Sequence, residues 1–158
     1  MPDSPPIGSP PVQASVGGRL RSLVANPGLP ISLLFFAGAV LVALSAFIHL
    51  HLWSTGYRQI HTIGPLFLLQ AIAGFMVAVA VAGSRHYLIA AAGASFVAGT
   101  IAGLVVSVEV GLFGFRDSFS APYATSSLVV EGLAVVMLAS AALAARRRSR
   151  PVRPFGHD

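Results

Sequence analysis

The sequence predicts an all-α fold, a four-helix transmembrane bundle running up-down-up-down, with a disordered N-terminal tail and a short basic C-terminal tail. Three observations predict it. Hydrophobic residues make up 55% of the chain and charged residues only 9%, against the roughly one quarter charged that a soluble domain uses to wet its surface. The apolar residues fall in four runs of about 20, the length needed to cross a hydrocarbon layer about 30 Å thick at about 1.5 Å per helical residue. The ten basic residues are all arginine, and they gather at the ends of those runs and in the turns between them.

The 158 residues make one domain's worth of chain. In a soluble protein a pI near 11.1 points to nucleic acid. Arginines that flank apolar runs point instead to the membrane surface and its anionic headgroups, so the lipid bilayer is the expected partner and nucleic acid is not. There is no cysteine, which excludes disulfides, CxxC redox motifs and thiolate metal sites.

Residues 1–30 form a Pro-rich tail holding seven of the eleven prolines. It cannot bury enough surface to offset the entropy of ordering, so disorder is expected. Within it, Arg19 to Ala25 either lies at the headgroups as a short amphipathic turn or serves as the basic flank of the first span. The bundle then occupies 31–145, with spans at 31–53, 63–82, 87–113 and 127–145, and a basic tail follows at 146–158.

In span 1, Arg19 and Arg21 followed by Ala43-Leu44-Ser45 raise the alternative of a cleaved signal peptide. The apolar run continues past Ser45 through Phe47 and Ile48 to Trp53, which argues for a retained helix. The turn 54–62 is short, making spans 1 and 2 antiparallel neighbours. Thr62 is placed to cap span 2, and Pro65 suits its first turn, where no N–H is missed. Gln70, Gly74, Ala78 and Ala82 recur at i+4 along that span. In span 3 the row Ser95, Gly99, Gly103, Ser107 and Gly111 has the same spacing, with a GxxxG pair at Gly99 and Gly103. Such a row lets another helix backbone approach closely, within the bundle or at a homodimer seam. The loop 114–126 carries Arg116, Asp117, Pro122 and Tyr123. Trp53, Tyr57, Tyr87 and Tyr123 fall near the predicted boundaries, as an aromatic belt requires, and His86 belongs to the opposite surface.

Four spans put both termini on one side. Eight arginines lie in the two tails and the 83–86 turn, and two lie in the longer loops. The positive-inside rule therefore places both termini in the cytoplasm of a multi-pass cell-membrane protein.

No phosphate loop, GxSxG, HExxH or dinucleotide fingerprint occurs, so no catalytic residue is assigned. The chemistry that remains is a polar layer. His49 lies four residues from Trp53, roughly 6 Å inside the boundary. Glu109, Glu131 and Gln70 fall at similar depths, so each span contributes one polar side chain near the outer leaflet. Intramembrane carboxylates are costly and normally face the bundle interior or a wet cavity. Helical angle puts His49 on the face of Gly38, Val42 and Ser45, and His51 on the face of Val40, Leu44 and Phe47. The rim is then His51, Arg58, His61 and Arg116.

Three readings of this layer stay open. In the first it is a structural network, with Arg58 or Arg116 reaching Glu109 and Glu131. In the second, His49, Glu109 and Glu131 ligate a metal; haem would need His61 as a second ligand. In the third it is a proton-linked half-path or an outward-opening pocket for a small amphiphile. No cofactor is favoured.

The string His49-Leu-His-Leu-Trp, Gly56-Tyr-Arg-Gln-Ile, Thr62-Ile-Gly-Pro-Leu-Phe-Leu-Leu-Gln70, with Gly111-Leu-Phe-Gly-Phe-Arg116 later, resembles small uncharacterised four-span integral membrane proteins of high-GC actinobacteria. The resemblance covers roughly 31–145; it implies a four-helix membrane protein and carries over no activity. Di-haem cytochrome b-type and DoxX-like bundles share the span count, but the paired interior haem histidines of the former are missing. The expected role is a non-enzymatic subunit or accessory of a larger envelope or respiratory complex, partnered by other membrane proteins or by itself. The alternatives are a metal- or haem-binding redox protein and a small oligomeric transporter or lipid-binding protein.

Overall fold

A computed structural model describes residues 29–149. The expected disorder of the N-terminal tail, the segment from Arg19 to Ala25 and the end of the basic tail with His157 lie outside the described residues. Four long helices form an antiparallel bundle: α1 (Leu29–Thr55), α2 (Ile63–Gly83), α3 (Tyr87–Glu109) and α4 (Ala124–Arg148). Each is long and apolar enough to cross a membrane, which makes this a multi-pass membrane protein in contact with lipid. A single 3-10 turn, Tyr57–Gln59, lies between α1 and α2.

Helix α1 is the hub. It packs along α2 on one side and α4 on the other, and α3 packs along α4. The core fills the half of the bundle nearest the termini. There Phe35, Val42, Val81, Val97 and Leu138 are essentially inaccessible. Leu138 fits between two glycines: a Cβ added at Gly38 would stand 2.5 Å from its Cδ2, and one at Gly93 3.2 Å from its Cδ1. Where α1 crosses α2, a Cβ at Gly74 would stand 2.8 Å from that of Ala46. Small residues at such crossings let dispersion and close backbone approach hold helices that lipid would solvate equally well. The buried face of α2 is Ala71, Gly74, Ala78 and Val81; Ala82 is exposed and Gln70 half-buried, because a 3.6-residue period drifts away from a strict i+4 row.

Large side chains such as Leu33, Phe36, Val40 and Phe47 on α1 are exposed and form the surface that lipid covers. At the far end of α4, Arg146, Arg147 and Arg148 complete the last turn, where cations complement the helix dipole. This carries the helix three residues beyond the expected limit at 145.

The end of α3 departs from the expected limit at 113. Gly111, Phe113 and Gly114 all take positive φ, at 89°, 51° and 79°, so the helix stops at Glu109 and the chain reverses. Leu112 and Phe115 exchange both backbone bonds, N to O, at 2.7 and 2.8 Å. Arg116 then turns back on the helix it has left and donates to the carbonyls of Val108, at 2.9 Å, and Glu109, satisfying acceptors that the helix end leaves free.

Thr62 stands at the N-cap of α2, but its hydroxyl makes no capping bond and its φ is 69°. Backbone carbonyls do the work instead: Ile60 accepts from Gly64 at 2.9 Å and Thr62 from Leu66 at 3.2 Å. The Ile63 amide closes a three-residue γ-turn onto His61 at 2.9 Å, a strained geometry for a β-branched centre.

Candidate functional site

Helices α2 and α3 are joined by a short turn, so they touch near it and then diverge. A Cβ at Gly93 would meet Val81 and Val77 at 3.3 and 3.4 Å, whereas one at Gly99 or Gly103 would find nothing within 4 Å. No helix of the described chain lies against these two glycines. The space is a cavity of about 580 Å³, with Leu66, Leu69 and Ala73 on the α2 wall, Gly99, Gly103 and Leu104 on the α3 wall, and Phe96 near the vertex. Ser107 is buried beside it, while Ser95 is exposed and outside its lining. Gly111 is half-buried in the turn after α3.

The polar side of the cavity comes from α1 and α4. Glu131 is 1% exposed. Ser45 Oγ donates to its Oε1 at 2.8 Å, and His49 Nδ1 stands 3.9 Å from the same oxygen. His49 Nδ1 is also 2.9 Å from the Ser45 carbonyl. A carbonyl only accepts, so this nitrogen carries the proton, which sets the tautomer and leaves Nε2 as an acceptor in the neutral ring. Gly38, Val42 and Ser45, on the face of α1 that His49 shares, are buried. His49 also rests against Phe67 of α2, ring centres 5.3 Å apart. Ser127, one turn before Glu131, is buried as well. Gln70 lines the α2 side. Below the carboxylate the packing is apolar: Ala134 and Leu138 on the same face are fully buried.

A roof closes the loop end. The Tyr57 ring stacks on Phe67, centres 4.5 Å apart and 18° between planes, and meets Phe115 edge-on at 5.8 Å. Its hydroxyl points to Asp117 Oδ1 at 3.5 Å. Burial, then the neighbouring Asp117 carboxylate and its hydrogen bond, push the Tyr57 phenol above its ordinary value of 10.0. The 3-10 turn bearing Tyr57 sits directly on α2, since a Cβ at Gly64 would stand 2.8 Å from the carbonyl oxygens of both Tyr57 and Arg58.

Other members of the expected layer stand apart. Glu109 is exposed and is not among the residues lining the cavity; the early stop of α3 leaves it in the final turn. Arg116 binds the backbone of Val108 and Glu109, and Glu131 takes its donor from Ser45, so among the described residues no arginine serves the buried carboxylate. Arg58 is exposed. His51 meets Tyr123 edge-on at 5.3 Å, and His61 is exposed with Nδ1 3.1 Å from the Thr62 hydroxyl. Among the described residues no three His, Cys, Asp or Glu side chains converge as a metal-holding group. His49 and Glu131 adjoin; Glu109 and His61 do not join them.

Tyr57, Phe67, Phe115 and Asp117 are part of the site that span-by-span reading misses. The signal present in the sequence was the Gly64-Pro65 step, which admits the turn, and an acidic residue in a loop of an arginine-rich chain. No protein-family model, curated protein or solved structure matches the chain.

Proposed function

We propose that this protein binds a small amphiphile which enters from the bilayer between α2 and α3. The observation that carries the reading is the cavity itself: two helices adjacent in the chain diverge over a pair of glycines, leaving about 580 Å³ with apolar walls and a buried carboxylate. Cavities of roughly 300–1,000 Å³, mostly apolar with a few convergent polar groups, are what small-molecule sites look like. Here the opening lies at membrane depth, so lipid-soluble molecules reach it without crossing water. The polar groups sit toward the loop end, and the other half of the bundle is dry packing. That supports binding or presentation of a ligand at one face over a continuous route through the membrane. The excess of arginine at the opposite end supports an orientation with the termini cytoplasmic and the loops outside. The test is cavity filling: Gly103→Leu should preserve insertion and abolish saturable uptake of an alkyl-chain ligand.

A second reading, as a subunit or accessory of a larger envelope or respiratory assembly or as a self-associating protein, is favoured by the outward face of α3. There Ala92, Ser95 and Ala102 are exposed, whereas α1 offers lipid Leu33, Phe36 and Phe47. Small residues on an outward face support close approach by a partner helix. Under this reading Ser95→Leu breaks the association and spares ligand binding.

A further inference from the structure

We propose that the ligand's head is a protonated amine, an inference that rests on the cavity being a ligand site. The charge lining it runs against that of the chain. The protein has ten arginines and five acidic residues, for a net charge of +5, yet among the described residues the cavity is lined by Asp117 and Glu131 and by no arginine. An anionic head is repelled there. A neutral head leaves Glu131, 1% exposed, with only the Ser45 hydroxyl and the His49 ring as polar neighbours, and so poorly compensated a buried carboxylate is unfavourable.

The hydrogen bonding agrees. Glu131 Oε1 is occupied by the Ser45 hydroxyl, and the His49 Nδ1 proton goes to the Ser45 carbonyl. Among the described residues no donor reaches Glu131 Oε2. The cavity is therefore lined by a carboxylate whose second oxygen lacks a donor and, in neutral His49, by a ring whose second nitrogen accepts. An ammonium group supplies up to three donors and the missing charge together. At the roof, the stacked rings of Tyr57 and Phe67, with Phe115 across them, add π faces that attract a cation. The apolar walls between α2 and α3 take the alkyl or aryl remainder.

The test uses the full chain in nanodiscs of zwitterionic lipid and three ligands sharing one tail: dodecylamine, dodecanol and dodecanoate. Ligand adducts are counted by native mass spectrometry across a titration. The expected result is saturable binding of one dodecylamine, weaker binding of dodecanol, and no saturable binding of dodecanoate. Glu131→Gln should weaken the amine about tenfold or more, the scale of one charge-assisted bond, and should not weaken the alcohol. Equal binding of amine and alcohol, both indifferent to Glu131→Gln, overturns the amine assignment while the cavity reading stands. Absence of saturable binding by all three overturns both. If Glu131→Gln does not insert, Asp117→Asn decides: a severalfold loss for the amine alone supports the assignment, and no difference between the amine and the alcohol overturns it.

Discussion

Ser45 and Glu131 stand 86 residues apart in the chain and 2.8 Å apart in space. Their hydrogen bond joins α1 to α4 at the level where apolar packing gives way to the cavity. Removing the hydroxyl leaves a carboxylate oxygen nearly inaccessible and without its donor. Ser45→Ala is therefore expected to destabilise the bundle, with a coupling energy to Glu131→Met, which removes the acceptor, of about 1 kcal/mol, the scale of interhelical hydrogen bonds in membranes. A double-mutant cycle by denaturation in mixed micelles measures it; additive single effects contradict the bond.

The glycines divide into supporting and idle positions. Gly64→Ala forces a methyl against the Tyr57 and Arg58 carbonyls and is expected to cost about 1–3 kcal/mol, as overpacking does, with loss of the Tyr57–Phe67 stack in near-ultraviolet circular dichroism. Gly83→Ala meets nothing within 4 Å and should be neutral or slightly stabilising, since alanine is the better helix former.

Gly103→Leu separates the two uses of the small-residue row. With open space at that Cβ, the substitution is expected to change stability by no more than about 0.5 kcal/mol while filling the cavity. Loss of ligand binding with an unchanged oligomeric state, read by light scattering, is the expected result. Dissociation of an oligomer with ligand binding intact would assign the row to a helix interface.

Tyr57 gives a pH signature. Its phenol is held above 10.0 by burial first and by Asp117 second. The neutral form is therefore the one the folded state favours. Its contribution is fully present below about pH 10 and is lost as the pH rises through the higher folded value, when the phenolate must be made beside a carboxylate. Alkaline difference absorbance should show a late component that Tyr57→Phe removes and Asp117→Asn moves to lower pH.

Topology is testable without background labelling, because the chain has no cysteine. With the termini cytoplasmic, an impermeant maleimide applied to intact cells should label Ser118→Cys and spare Ser149→Cys. The reverse pattern contradicts the orientation drawn from arginine distribution.

The bundle was legible because each determinant is local. Four apolar runs with arginines and glycines at their ends set the helices to within a few residues. The angle between His49 and Ser45 on one helix was equally readable. The cavity was not, because it depends on how two helices diverge. Gly99 and Gly103 look the same in sequence whether a neighbour fills the groove beside them or leaves it open. An apolar run continuing to Phe113 places Glu109 within the polar layer; the positive φ values of Gly111 and Phe113 end the helix sooner and strand the carboxylate at its rim. The roof required residues 57, 67, 115 and 117 to meet, and only tertiary structure brings them together.

Photolabelling tests the central claim most directly. An alkylamine carrying a diazirine in its tail is irradiated with the full-length protein in nanodiscs and the adducts are mapped by mass spectrometry. The account predicts labels concentrated on Leu69, Ala73, Phe96 and Leu104, suppressed by Gly103→Leu. Labels spread over Leu33, Phe36, Val40 and the other lipid-facing side chains, with no change on filling the groove, would contradict it.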